Sequence, residues 1–124
     1  MKSEKGATIV EFALILPLLI LLVLGIIDFG RVFHAYLTID HAGREAARVA
    51  SIGKFSEVEN TAVSQSGNLI TPSNVTVTYD DPNKIRGSIT TVTINYQINF
   101  LTPVIQPFFP SGFTLSDTTT MRIE

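Results

Sequence analysis

The chain opens on a few polar residues and passes at once into an apolar run. Phe12 to Ile27 reads FALILPLLILLVLGII, sixteen residues without a charge. Carried back to Ala7 the run reaches twenty-one residues, broken by a single carboxylate, Glu11. At about 1.5 Å of rise per residue, twenty-one residues give roughly 31 Å of helix, the thickness of a bilayer's hydrocarbon core. The pattern predicts a transmembrane helix over 7–27 with Glu11 at or just inside one interface. Pro17 lies inside it, where it removes one backbone hydrogen bond and should bend the helix, as membrane helices tolerate.

Helical spacing continues from Asp28 to about Ile52. Phe29, Val32, Phe33, Tyr36 and Leu37 recur at steps of three and four and predict one apolar helix face. Ala42, Ala46 and Ala50 then repeat every four residues, with Gly43 and Ala47 beside them. Small residues at that spacing let another backbone come close, and alanine is also a strong helix former; the two roles are compatible. Asp40 and His41 each stand four residues before an oppositely charged or polar partner, Arg44 and Glu45, as expected on an exposed face. Gly53 is the expected C-cap. Ser56 with Glu59 fits a capping box that opens a shorter helix to about Ser66, which Gly67 and Asn68 close.

Beyond Pro72 the period changes from helical to alternating. Val75, Val77 and Tyr79 alternate with threonines, and Val92, Ile94, Tyr96, Ile98 and Phe100 alternate with polar residues over a longer stretch, which predicts half-buried strands. Asp80-Asp81-Pro82-Asn83 is a turn signal. Leu101 to Gly112, with three prolines and the pair Phe108-Phe109, is an apolar loop. Those phenylalanines could meet lipid, a partner or the domain's own sheet. A last strand runs from about Phe113 to Ile123, with Leu115, Thr119, Met121 and Ile123 on one face. The expected fold is α+β: a long N-terminal transmembrane helix continues into an extracytoplasmic helix packed on a small antiparallel β-sheet. The sheet's apolar face would be covered by the alanine-rich helix. The expected division is a leader at 1–6, the membrane helix at 7–27 and an extracytoplasmic domain at 28–124, helical over 28–66 and with strands within 74–123.

Composition narrows the chemistry. Only 16% of the residues are charged and 45% are hydrophobic, a balance tilted away from that of soluble domains. The net charge of −2 and the lack of a basic stripe give no footprint for nucleic acid. There are no cysteines, so neither disulfides nor thiolate chemistry can contribute. His34 and His41 are seven residues apart, about 10 Å along a helix, too far to share one metal without other ligands. No nucleophile–base arrangement, P-loop or dinucleotide fingerprint is present, and Asp80-Asp81 lacks the spaced oxygen ligands of a calcium loop. No enzyme activity, cofactor, metal or small-molecule substrate is therefore expected. A cleaved secretory signal is the nearest competitor for the N-terminus, but the apolar run is long for one and no small-residue cleavage site follows it.

The informative motif is Gly6-Ala7-Thr8-Ile9-Val10-Glu11-Phe12. A charge in an apolar helix costs about 2.5 kcal/mol or more at the membrane centre and less near an interface, so Glu11 calls for a partner. A glycine that ends a short leader, with glutamate five residues later and a long apolar helix after it, resembles type IV prepilins and pseudopilins. The run GATIVEFALILPLLILLVLGIIDFGR, with GREAAR at Gly43 to Arg48, is similar to the TadE-like minor pseudopilins of the tight-adherence (Flp-type IVb) pilus system, over roughly residues 6–50. The resemblance implies a pilin-like fold and a cut after Gly6 by a prepilin peptidase, leaving Ala7 as the new N-terminus. It further implies pairing of Glu11 with the Ala7 α-amine of an adjacent subunit, whose reference pKa is about 8. The implied partners are the membrane, the peptidase and other pilins and pseudopilins; the implied location is the cytoplasmic membrane, N-terminus inside and domain outside. The implied role is to prime or cap a fibre in adhesion and biofilm formation. A lone membrane-anchored binding module is the principal alternative, in which Glu11 merely sits among headgroups.

Overall fold

The structure is a computed structural model that describes residues 2–124; Met1 of the expected leader lies outside the described residues. A single helix, α1, spans Lys2–Ser51. It runs unbroken through Pro17, and it begins inside the expected leader rather than after it. It is long and apolar enough to cross a membrane, and no residue of its most apolar stretch is buried. Gly53 ends the helix in the left-handed region at φ +89°. Its N–H donates to the Ala50 carbonyl at 3.1 Å and that of Lys54 to the Val49 carbonyl at 3.2 Å, the paired Schellman bonds that satisfy terminal carbonyls. A third such carbonyl, Ser51, accepts from the Glu124 N–H at 2.9 Å, tying the C-terminus of the chain to the end of α1.

A short 3₁₀ turn at Phe55–Glu57 leads into α2, Val58–Gln65. The expected Ser56–Glu59 capping box does not form: the N-cap position is Glu57, and no side chain caps it. The 3₁₀ turn takes over the start of the helix, so Ser56 falls inside that turn instead of before the first α-helical residue. At the other end Gly67 and Asn68 bond back to the Ser64 and Val63 carbonyls, as expected.

Three strands follow, β1 (Val75–Tyr79), β2 (Ile89–Ile98) and β3 (Phe113–Arg122). They form one antiparallel sheet in the order β1-β2-β3. Ile94 sits at its centre, opposite Val75 on one side and Asp117 on the other. Alternation places Thr90, Val92, Ile94 and Ile98 of β2 on the covered face with Val75 and Leu115. The cover is α1, and α2 packs against α1 at the edge. The core joins Ala35, Ile39, Ala42, Ala46, Ala47 and Ala50 of α1 to Val58, Ala62 and Ile70 and to the sheet.

The buried stripe of α1 therefore runs through Asp28, Ala35, Ile39, Ala42 and Ala46. The alanine-rich stretch covers the sheet as expected, while the apolar face of Phe29, Phe33, Tyr36 and Leu37 is exposed, and of that set only Val32 packs on the core. The reason is steric. The small side chains of Ala42, Gly43, Ala46 and Ala50 let α1 lie close to the sheet with Ile39 filling the space beside them, and the aromatic stripe lies on another side of the cylinder.

Gly43 marks the closest approach. A Cβ there would stand 2.9 Å from Asp117 Oδ2 and 3.2 Å from Thr119 Oγ1. Asp117 lies beside Asp40, which pairs with Arg44 at 3.1 Å. Gly43→Val should therefore wedge helix from sheet and cost about 1–3 kcal/mol, the usual range for overpacking. Thermal unfolding of the full chain in detergent, followed by circular dichroism, measures it; an unchanged midpoint would contradict this packing.

Candidate functional site

The residues singled out in the sequence fall into two groups on α1. Gly6, Ala7 and Glu11 lie on its exposed N-terminal part. A Cβ added at Gly6 would meet nothing within 4 Å. Among the described residues the ion pairs are Asp28–Arg31 and Asp40–Arg44, so Glu11 faces outward in an apolar helix with no ionic partner from its own described chain. Ala42, Gly43, Ala46, Ala47 and Ala50 form the second group, and all are buried against the chain's own strands and α2. The two groups do not meet; some thirty residues of helix separate them. His34 and His41 are exposed, and His41 Nε2 lies 3.2 Å from Gln65 Oε1.

The group not singled out from sequence is at the end of the apolar run. Asp28 is only 2% exposed and gathers donors from the β2–β3 loop 73 and 74 residues away. The Leu101 N–H reaches both carboxylate oxygens at 2.9 Å. The Thr102 N–H donates at 2.8 Å and the Thr102 hydroxyl at 2.6 Å. Arg31 Nη1 lies 3.3 Å from Oδ1 and also donates to the Asn99 carbonyl at 3.0 Å. Burial pushes the Asp28 carboxyl up, but the Thr102 hydroxyl, the two backbone amides and Arg31 outweigh it and hold the pKa below the ordinary value. The sequence signal was present: Asp28 is the first charge after the apolar run and precedes Arg31 by one helical turn. Its partners are backbone amides, which no side-chain motif announces.

Residues 6–48 match the family model described as TadE-like protein. The matched segment is α1 nearly to its end, from the glycine before the apolar run to the arginine of GREAAR. The TadE-like match points to a Tad pilus-associated protein, in agreement with the resemblance drawn from the motif. No curated protein and no solved structure matches the chain. The TadE-like segment thus holds both Glu11 and Asp28, whereas the strands and the loop that grips Asp28 lie beyond it.

Two carboxyls outside the apolar run should act on stability with opposite sign. Asp28 is held low, so its contribution is complete at neutral pH and is lost as the pH falls below about 3.9 through its folded-state pKa. Asp117 is raised by burial and by the nearby Asp40, so the folded state takes its proton more readily, and stability falls as the pH rises above about 3.9. Asp28→Ala strands the Leu101 and Thr102 donors and should cost at least about 2–3 kcal/mol at pH 7, with faster proteolysis in residues 99–112. Asp117→Asn should raise the melting point at pH 7 and leave less change between pH 4 and 7. Melting curves against pH on both variants in detergent check the two signs.

Proposed function

We propose that the chain is a minor pseudopilin of a tight-adherence type IVb pilus. It is processed after Gly6 and assembled through α1, priming or capping the fibre in adhesion and biofilm formation. Its work is assembly, not catalysis. The mature chain sits in the cytoplasmic membrane as a single pass over 7–27, N-terminus inside and residues 28–124 outside, until it joins the assembly.

The observation that carries this reading is the uncovered face of α1. Leu22 and Ile26 inside the apolar run, then Phe29, Phe33, Tyr36 and Leu37 beyond it, are all exposed. They lie at helical steps of three and four, so one apolar stripe continues for several turns past the membrane boundary. A lone anchor has no use for such a stripe in water, where exposed apolar area marks an interaction surface. A helix that bundles with neighbouring subunits does. Glu11, outward-facing below that stripe, supplies the charge that an adjacent subunit's Ala7 α-amine would neutralise. The Gly6–Ala7 bond lies in the first turns of α1, where fraying is cheap, so a peptidase could draw it out without disturbing the core.

Processing predicts that the mature protein loses six residues by mass, and that Gly6→Val retains them because a branched side chain obstructs the cleavage site. The pairing predicts more. Glu11→Leu should insert and be cleaved normally, since loss of a charge eases insertion. It should nevertheless leave the neighbour's amine unpaired, at about 3–5 kcal/mol for half of a buried pair, and so lose association with other pilus subunits. Glu11→Gln, which still accepts a hydrogen bond, should fall between. Co-purification with crosslinking between the Ala7 and Glu11 regions tests this; wild-type association of Glu11→Leu would leave the simple anchor as the better account.

A further inference from the structure

We propose that the β2–β3 loop, residues 99–112, is a second membrane-embedded element that inserts among lipid acyl chains in the leaflet on the domain's side. The proposal rests on a bilayer around 7–27 and not on the pilus reading.

Position is the first argument. Asp28 holds Leu101 and Thr102 at the end of the apolar run, and from there the loop turns back along α1 instead of away from it. Val104 and Ile105 share an apolar groove with Leu18, Leu21, Leu22 and Gly25. Leu21 is seven residues before Asp28, or about 10 Å deeper along the helix axis. A loop beside Leu18 to Gly25 stands at the depth of the hydrocarbon that surrounds those leucines.

The chemistry of the loop fits that solvent. No charged residue occurs between Arg86 and Asp117. Val104 is 57% exposed and Phe108 77% exposed, beside Phe100, Phe109 and Phe113, whose ring centroids lie 5.2–6.3 Å apart. Phe29, Phe100, Phe109 and Phe113, with Asp28 among the lining residues, surround an open, largely apolar groove of about 300 Å³.

The backbone sets the depth, because non-helical backbone survives among acyl chains only where its polar groups are satisfied, and here the N–H groups largely are. Pro103, Pro107 and Pro110 have no N–H to satisfy. Leu101 and Thr102 donate to Asp28. Ile105 and Gln106 donate to the Thr102 carbonyl, Phe108 to Ile105, Phe109 to Gln106 and Gly112 to Phe109, at 2.9–3.2 Å. From 101 to 110, Val104 alone has a backbone N–H without a bond among the described residues, whereas the carbonyls of Leu101, Pro103, Val104, Pro107, Phe108 and Pro110 have none, so the loop reaches the acyl chains with its side chains and keeps these carbonyls toward the headgroups. Gly112 lets the chain turn back into β3: its φ is +83°, and a Cβ would lie 2.7 Å from the Ile98 carbonyl oxygen.

The chain has no tryptophan, which permits single-tryptophan probes in the full-length protein. Phe108→Trp tests the loop, Leu14→Trp the span and Asn83→Trp the distant β1–β2 turn, each in phosphatidylcholine vesicles. Lipid brominated on its acyl chains should quench Phe108→Trp as it does Leu14→Trp and several-fold more than Asn83→Trp. Aqueous iodide should rank them the other way, and diluting the protein in lipid should change nothing. If Phe108→Trp follows Asn83→Trp while Leu14→Trp is quenched by lipid, the loop rides in water and the proposal falls alone. Protection from both quenchers, or protection lost on dilution, overturns it in favour of a second copy covering the loop. If Leu14→Trp also escapes the lipid quencher, the span falls and the loop proposal with it.

Discussion

Asp28 fixes how the two halves of the molecule meet. A carboxylate removed from water is costly unless its lone pairs are filled, and here four donor contacts come from Leu101 and Thr102 and a fifth from Arg31. None of those donors belongs to a regular element of the sheet. Without the carboxylate, the loop after β2 would have two adjacent amides to satisfy beside an apolar helix and no reason to approach it. The tie is long in sequence and short in space, so it locks the direction in which β2 leaves the sheet, and with it the placement of every loop residue up to Gly112.

With that point fixed, α1 divides its surface among three environments. Around residues 12–27 it is apolar on all sides, as lipid requires. Above Asp28 one stripe of small residues is surrendered to the sheet, where Gly43 sets the distance. The aromatic stripe stays uncovered, and polar residues such as Arg44 and Arg48 fill the rest. The helix is long because it must serve all three in register.

Much of this was legible in the sequence. The apolar run, the alternation in β2, the capping glycine at 53 and the alanine repeat each follow from local chemistry with a fixed period, and the α+β sandwich of helix on sheet followed from them. Two features did not. Apolar spacing showed that α1 had a stripe at Phe29, Phe33, Tyr36 and Leu37, and the alanine repeat pointed to the stripe the sheet buries; it did not show that the aromatic stripe would be left uncovered by the rest of the chain, because periodicity measures amphipathicity and not which partner arrives. The clasp was hidden for another reason: Asp28 could be seen as a charge in want of a partner, yet its partners are main-chain amides brought close only by the tertiary fold. The Gly6–Glu11 spacing was visible at once, and its meaning came from resemblance, since no contact within the chain explains it.

The two carboxylates at the ends of the apolar run make the final point. Glu11 and Asp28 are seventeen residues apart, about 25 Å along the helix, and each presents the same problem of a charge next to hydrocarbon. The chain solves it at one end by itself. Asp28 is enclosed, saturated with donors and held ionised. Glu11 is exposed and has no ion pair among the described residues, although Lys5 lies six residues before it on the same helix. Among the described residues one carboxylate receives five donor contacts and the other none, so the two are not met in the same way. The self-sufficient end lies beside the domain and the unfinished end at the start of the helix, the end at which the proposed pairing would act.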